Sequence, residues 1–323
     1  MQTERESDCT VAVVTVSFSR DFELCRDLNA SVLRFWPAST KHYIIVDRCD
    51  LEMFRALENG RTVISAVEDV IPRGYMKLSF SKRWWLSTVA RRPALGWLVQ
   101  QLVKISFALA AREDVLVNVD SDVRFIRPVD PSLFARAGLT RLYRLPGGIV
   151  AGMNHVKWHR NVTRLLGVKP DTVPMADYVG NLISWNRRIL RDVCTRIETV
   201  SGLPWHVAFT RGRLVSEYLT YGLYVDKVIG RDAAGVWVDE RSWCHTFWGP
   251  EPLSAEAMPA FVSELKDDDV AFSIAGYTGT SPEVCSAAIE LVTRRAEGSA
   301  AASAPEREKL QQEPDEGLNA LIH

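Results

Sequence analysis

Residues 11–18 carry no charge on either of the two faces that an extended chain presents. A strand without a polar face has to be covered on both sides, which is the situation of a parallel sheet layered by helices. The residues that follow extend the same constraint. Phe22, Cys25, Leu28, Val32 and Phe35 recur at spacings of three and four and end just before Pro37, which predicts an amphipathic helix. Residues 42–47 form a second apolar run around Tyr43, Ile44, Ile45 and Val46. Residues 53–57 suggest a short helix and 61–67 a third strand. This β-α-β-α-β order predicts an α/β fold with a mostly parallel central sheet and helices on both faces.

Further along, residues 97–110 read as a helix and 114–119 as a fourth buried strand. Strands are expected at 141–145, 178–185 and 235–239, and helices at 187–200 and 215–222. Ser281, Pro282 and Glu283 signal the start of a last helix, expected to run to Arg295, with Ser281 as N-cap and Pro282 in its first turn. The Ala-, Ser-, Glu- and Gln-rich residues beyond it have few large apolar side chains, and 291–323 is expected to be a disordered tail.

The fourth strand leads directly into Asp120, Ser121 and Asp122. Open α/β sheets bind ligands at the carboxyl ends of their strands. Two carboxylates placed there repel each other unless a cation sits between them, and hard divalent cations prefer oxygen ligands. The chain holds a second pair of this spacing, Asp267 and Asp269, but no apolar strand precedes it, and it reads as a solvated turn.

Composition narrows the partners. The 323 residues include 39 Lys and Arg against 40 Asp and Glu, a net charge of −1, which argues against nucleic acid or anionic membrane as the main partner. The six cysteines contain no C-x-x-C pair, so neither a zinc module nor a disulfide framework is expected, and reduced thiols fit a cytoplasmic protein. The first residues are acidic rather than basic, unlike a signal peptide, and the apolar stretch 96–111 is broken by Gln100, Gln101 and Lys104, so no transmembrane segment is expected.

Residues 118–128 resemble the metal-binding D-x-D segment of the GT-A glycosyltransferases, the Rossmann-like enzymes that use nucleotide sugars. The resemblance extends over residues 11–128 in the order of elements. It continues more faintly in Gln101 with Lys104, in Ser216, Glu217, Tyr218, Tyr221 and Gly222, and in Trp243, Cys244 and His245. It is strongest toward a bacterial group of mostly unassigned substrate. The resemblance implies a nucleotide-sugar donor, UDP-linked by family habit, with Mn2+ or Mg2+ and a small-molecule or glycan acceptor. It also implies a nucleotide-sugar half at 8–128 and an acceptor half at 129–290.

Site roles follow from the same likeness. Asp122 and Asp120 would hold the metal, with Asp120 and Ser121 also reaching the donor. His245 would be a third ligand, with His206 its competitor. Ser17 and Asp47 would meet the nucleotide, and Gln101 and Lys104, three apart on one helical face, would look into its cleft. Glu217 is the expected catalytic base and Asp177 the alternative. Residues 72–92 mix Arg and Lys with Tyr75, Phe80, Trp84 and Trp85. They read as a lid in which Arg83 meets the diphosphate and a tryptophan excludes water, or as a loop in peripheral contact with a membrane. Two other classes stay open: a sugar nucleotidyltransferase, against which the glycine-free residues 16–20 count, and a non-catalytic nucleotide-sugar binder.

Overall fold

The charge-free runs do form strands covered on both faces. In the computed structural model, which describes residues 9–78, 84–89, 92–211 and 214–312, four parallel strands make the centre of the fold. They are β1 (Val11–Val16), β2 (Lys41–Val46), β3 (Thr62–Ala66) and β4 (Val115–Asn118). A fifth, β5 (Ile183–Asn186), closes one edge antiparallel to β4. The order across the sheet is β5-β4-β1-β2-β3. The chain therefore steps outward from β1 through β2 to β3, then crosses back to place β4 on the other side of β1.

Helix α1 (Phe22–Phe35) buries Cys25, Leu28 and Val32, the residues whose spacing predicted it. Helix α2 (Gly96–Ala110) is buried along most of its length, which fits its apolar composition. Between α1 and the first three strands lies a closed polar network. Asn29 Oδ1 accepts from Thr62 Oγ1 (2.8 Å) and from His42 Nδ1 (2.9 Å), and Thr15 Oγ1 donates to His42 Nε2 (3.0 Å). His42 is fully buried, and burial, aided by Arg61, lowers its pKa to about 3.

Helix α3 (His155–Leu166) was not foreseen, although Val162, Thr163 and Leu166 of its buried face follow helical spacing. Helix α4 (Arg187–Ser201) starts and ends close to expectation, capped by Asn186 and stopped by Gly202 in the left-handed region. Helix α5 (Glu217–Tyr224) is capped by Ser216, whose Oγ accepts from Leu219 N. A second sheet, with Ala271–Ile274 between Val123–Phe125 and Cys244–Phe247, leans against the end of β4. One buried apolar cluster runs from Ala12 in β1 to Val236, joining residues of both expected halves.

Several expectations need correction. The segment expected at 72–92 as a lid or loop contains strands among its described residues: Tyr75–Lys77, Trp84–Ser87 and Arg92–Leu95 form a small antiparallel sheet. Trp85 and Tyr75 are buried in the main core, because a large aromatic residue gains more from burial than from exposure. Of the strand expected at 178–185 only the end, in β5, is strand; it is preceded by the strand Met175–Asp177 and a turn in which Asp177 Oδ1 accepts from Tyr178 N and Val179 N. Asp269 is buried against Arg241 rather than solvated. The last helix, α6 (Pro282–Gln312), passes through most of the expected tail, with Val292 and Ala296 buried. Its run of Ala, Glu, Arg and Leu has the composition of a good helix former, and that outweighs the shortage of large apolar residues. Among the described residues, no helix is long and apolar enough to cross a membrane.

Candidate active site

β4 ends at Asn118, and Val119 is buried beyond it before Asp120 emerges with half of its side chain exposed. β1 and β4 are neighbours, yet the chain leaves β1 toward β2 on one side and reaches β5 on the other. The crevice above such a reversal is where open α/β sheets take their ligands. Its floor is closed by two buried serines: Ser121 Oγ donates to Ser17 Oγ across the two strand ends at 2.9 Å.

Under Asp120 lies a buried cation. Lys104 Nζ, on α2, is 3.1 Å from Asp120 Oδ1, 2.9 Å from Tyr218 Oη and 3.4 Å from Glu217 Oε1. Burial alone would push the amine toward its neutral form. The carboxylates of Asp120 and Glu217, with the hydrogen bond to Tyr218, outweigh that and hold its pKa well above the ordinary lysine range. Gln101, one turn earlier on α2, accepts from Glu217 N through Oε1 at 3.1 Å, and its buried Nε2 has no partner among the described residues. α2 and α5 are thus stitched together immediately beneath the crevice.

Asp122 points back toward the second sheet. Its Oδ2 accepts from Gly276 N at 2.8 Å and its Oδ1 from Ser273 Oγ at 3.4 Å. Burial first, and then the charge of Asp120, raise its pKa to about 6. Asp120 is thus half-exposed beside Lys104, while Asp122 is oriented by a backbone amide, and carboxylate oxygens are the donors that hard divalent cations prefer. His245 does not join them. Its Nε2 donates to the carbonyl of Phe261 at 2.8 Å, and its ring stacks on Phe261 at 4.3 Å. The alternation of side chains along Cys244–Phe247 explains this: Cys244 and Thr246 share the side of Asn181, and His245 takes the aromatic side. His206 is no substitute, lying against Tyr75.

The other expected residues divide in two. Asp47, at the end of β2, is paired with Lys77. Asp47, Cys49 and Asp50 hold potential ligand atoms within 4.8 Å of one another, apart from Asp122, and Asp50 Oδ2 is already engaged by Ser19 N. Glu217 is 5% exposed and its carboxylate faces Lys104, so an acceptor hydroxyl has no open path to it as a base. Asp177 is equally buried and holds His155 Nδ1 at 2.7 Å. Arg83 lies outside the described residues. Sequence reasoning overlooked Ser273 and Gly276, named Tyr218 only as a neighbour of Glu217, and gave His155 no role. For Tyr218 a signal existed in its place beside Glu217. Ser273 and Gly276 reach Asp122 across more than 150 residues, which no local pattern reports.

A family model described as a family of unknown function (DUF6492) matches residues 13–237, more than two thirds of the chain. The match covers Lys104, Asp120, Asp122, Asp177 and Glu217 and ends before His245. No curated protein matches the sequence. Among solved structures, the apo crystal structure of mouse xyloside xylosyltransferase 1 is similar with a TM-score of 0.45 at 9% identity, over 81% of this chain and 97% of that one.

Proposed function

The chain belongs to the family of unknown function DUF6492, and from its own residues we propose that it is a metal-dependent glycosyltransferase that uses a nucleoside diphosphate sugar. The observation that carries the reading is the position of Asp120. It stands at the carboxyl end of a parallel strand where the strand order reverses, with a second carboxylate, Asp122, two residues on and a buried ammonium behind it. Asp120 and Asp122 would hold Mn2+ or Mg2+. An ion held by these residues would supply positive charge for the leaving diphosphate.

The protein's own groups do the rest. Ser17 and Ser121 form the floor on which the donor rests. Lys104 adds positive charge beneath the phosphates, and Glu217 and Tyr218 keep it in place and protonated. Gln101 offers its unpartnered Nε2. Asp47, at the end of the adjacent strand, is placed for the nucleoside side of the donor. Glu217 serves here as the residue that positions Lys104.

The test is a thermal shift panel of UDP-, GDP-, ADP- and dTDP-sugars with and without Mn2+. A donor at one hundred times its Kd should add about 2.7 kcal/mol of stability, and only with metal. Asp122→Ala should abolish that metal-linked gain. If no nucleotide sugar stabilises the protein in the presence of Mn2+ or Mg2+, the reading fails. Products separate it from the alternatives: a transferase frees nucleoside diphosphate, a nucleotidyltransferase frees pyrophosphate, and a binder frees neither.

A further inference from the structure

Buried Asp177 and half-buried His155 form a carboxylate–imidazole pair that the donor site does not use. Asp177 Oδ1 is occupied by two backbone amides, Tyr178 N at 2.8 Å and Val179 N at 3.0 Å, and Oδ2 faces His155 Nδ1 at 2.7 Å. A carboxylate can only accept here, so Nδ1 carries the proton and Nε2 keeps its lone pair. No described residue bonds Nε2. The carboxylate is fixed from behind as well: a Cβ on Gly148 would lie 2.9 Å from that of Asp177, so the backbone of Leu145–Ile149 presses directly on it. Next in the chain, Tyr178 lies over Gly222 of α5 and donates from its hydroxyl to Asp226 at 2.5 Å. The pair is therefore rigidly joined to the helix that carries Glu217.

The imidazole is also the end of an aromatic shelf. The His155 ring stacks on Trp158 at 4.5 Å, and Trp158 meets Trp97 at 5.3 Å, with planes inclined by 23° and 32°. Trp97 is 41% exposed, an unusual state for so large a side chain. Trp97, Gln101 and Lys104 stand at i, i+4 and i+7 of α2, on one stripe of the helix. Trp97 thus stands about 10 Å along that stripe from Lys104.

A pyranose ring offers one face of C–H bonds and a rim of hydroxyls. Flat aromatic rings bury the first, and a few oriented polar groups hold the second. We propose that Trp97, Trp158 and His155 form a saccharide-binding subsite, and that His155 Nε2 takes the proton from the hydroxyl of the acceptor sugar bound there. The base role rests on the glycosyltransferase reading; the saccharide subsite does not. In the step, the acceptor O–H gives its proton to Nε2 as its oxygen bonds to the anomeric carbon of the donor. The bond from that carbon to the diphosphate breaks, and the nucleoside diphosphate leaves with the electron pair. The imidazolium keeps its Nδ1–H on Asp177 and later releases the Nε2 proton to solvent. Asp177 orients the ring throughout.

Two measurements test this. The first is saturation-transfer NMR with methyl α- and β-glycosides of glucose, galactose, mannose, xylose and N-acetylglucosamine, without donor or metal. At least one should bind at millimolar concentration, and Trp97→Ala, at an exposed position, should weaken it at least tenfold with an unchanged melting curve. No binding, or binding indifferent to Trp97→Ala in the folded variant, overturns the subsite. The second is nucleoside diphosphate release with the glycoside that binds. His155→Ala should lower kcat at least a hundredfold with the donor KM unchanged, and added imidazole should restore part of the rate. A smaller loss, or one that imidazole leaves unchanged, overturns the base role. Saccharide binding in a protein that no nucleotide sugar stabilises sinks the donor reading and the base role together and leaves the subsite standing.

Discussion

At the scale of single residues, the decisive interaction is the buried ammonium of Lys104. It is the positive charge in hydrogen-bonding reach of Glu217, Tyr218 and Asp120, and both Lys104 and Glu217 are less than a tenth exposed. Removing one member of such a pair leaves the other charged and desolvated. Lys104→Met is expected to cost about 3–5 kcal/mol in urea unfolding, and Lys104→Met with Glu217→Gln should recover at least half of it. Equal stabilities for the single and double variants would show that the pair is not coupled. His42 gives a prediction with the opposite dependence on charge. Its folded pKa is depressed from 6.5 to about 3, so below pH 6.5 the unfolded chain binds a proton that the folded one refuses. The neutral imidazole's contribution is complete above pH 6.5 and is lost as the pH falls toward 3, at up to about 1.4 kcal/mol per unit. Urea midpoints at pH 7, 6 and 5 should fall more steeply for the native chain than for His42→Gln.

At the scale of elements, function depends on how closely α5 is approached. A Cβ at Gly222 would come within 2.1 Å of the Tyr178 ring, a distance no packing tolerates. Gly222→Ala should therefore cost about 3 kcal/mol or prevent folding, as overpacking of a filled core does. In a Tyr178→Ala background the same change should cost under about 1 kcal/mol, because contacting residues are not additive. A cycle without such coupling would mean that the ring moves aside freely. Element identity itself was readable where the pattern was unambiguous. The apolar runs gave β1, β2 and β4, and the three-four spacing gave α1. It was not readable in residues 72–92, where charges mask short strands whose alternate side chains, Tyr75 and Trp85, reach the core. Nor was it readable at 178–182, where Asp177 turns a run of strand-like residues into a turn by capturing two amides.

At the scale of the whole molecule, the second sheet links the carboxyl-terminal helix to the candidate site. α6 buries Ala288, Val292 and Ala296 against Phe272 and Ile274, and the strand carrying those two leads to Ser273 and Gly276, which hold Asp122. Ending the chain before Pro282 would expose that apolar face. Burying a Val side chain is worth about 2 kcal/mol and several residues are involved, so the truncated chain should melt at least about 10 °C lower or precipitate. Differential scanning calorimetry of the two lengths measures this, and an unchanged melting temperature would mean that the helix is dispensable to the second sheet.

Much of the candidate site was present in the linear order, because its parts obey local rules. Asp120 follows a strand that could only be buried, and Gln101 and Lys104 share a helical stripe at a spacing that any α-helix enforces. Those facts need no partner. What the tertiary structure decided is where each group's charge or lone pair is used. It set Glu217 against Lys104 and Asp177 against His155, and it sent His245 to Phe261 rather than to Asp122. Whether a carboxylate is open to a ligand or committed to a neighbour depends on contacts between residues 16 to more than 150 positions apart. Sequence patterns report the period of a helix or strand, but packing alone determines which faces of distant elements meet.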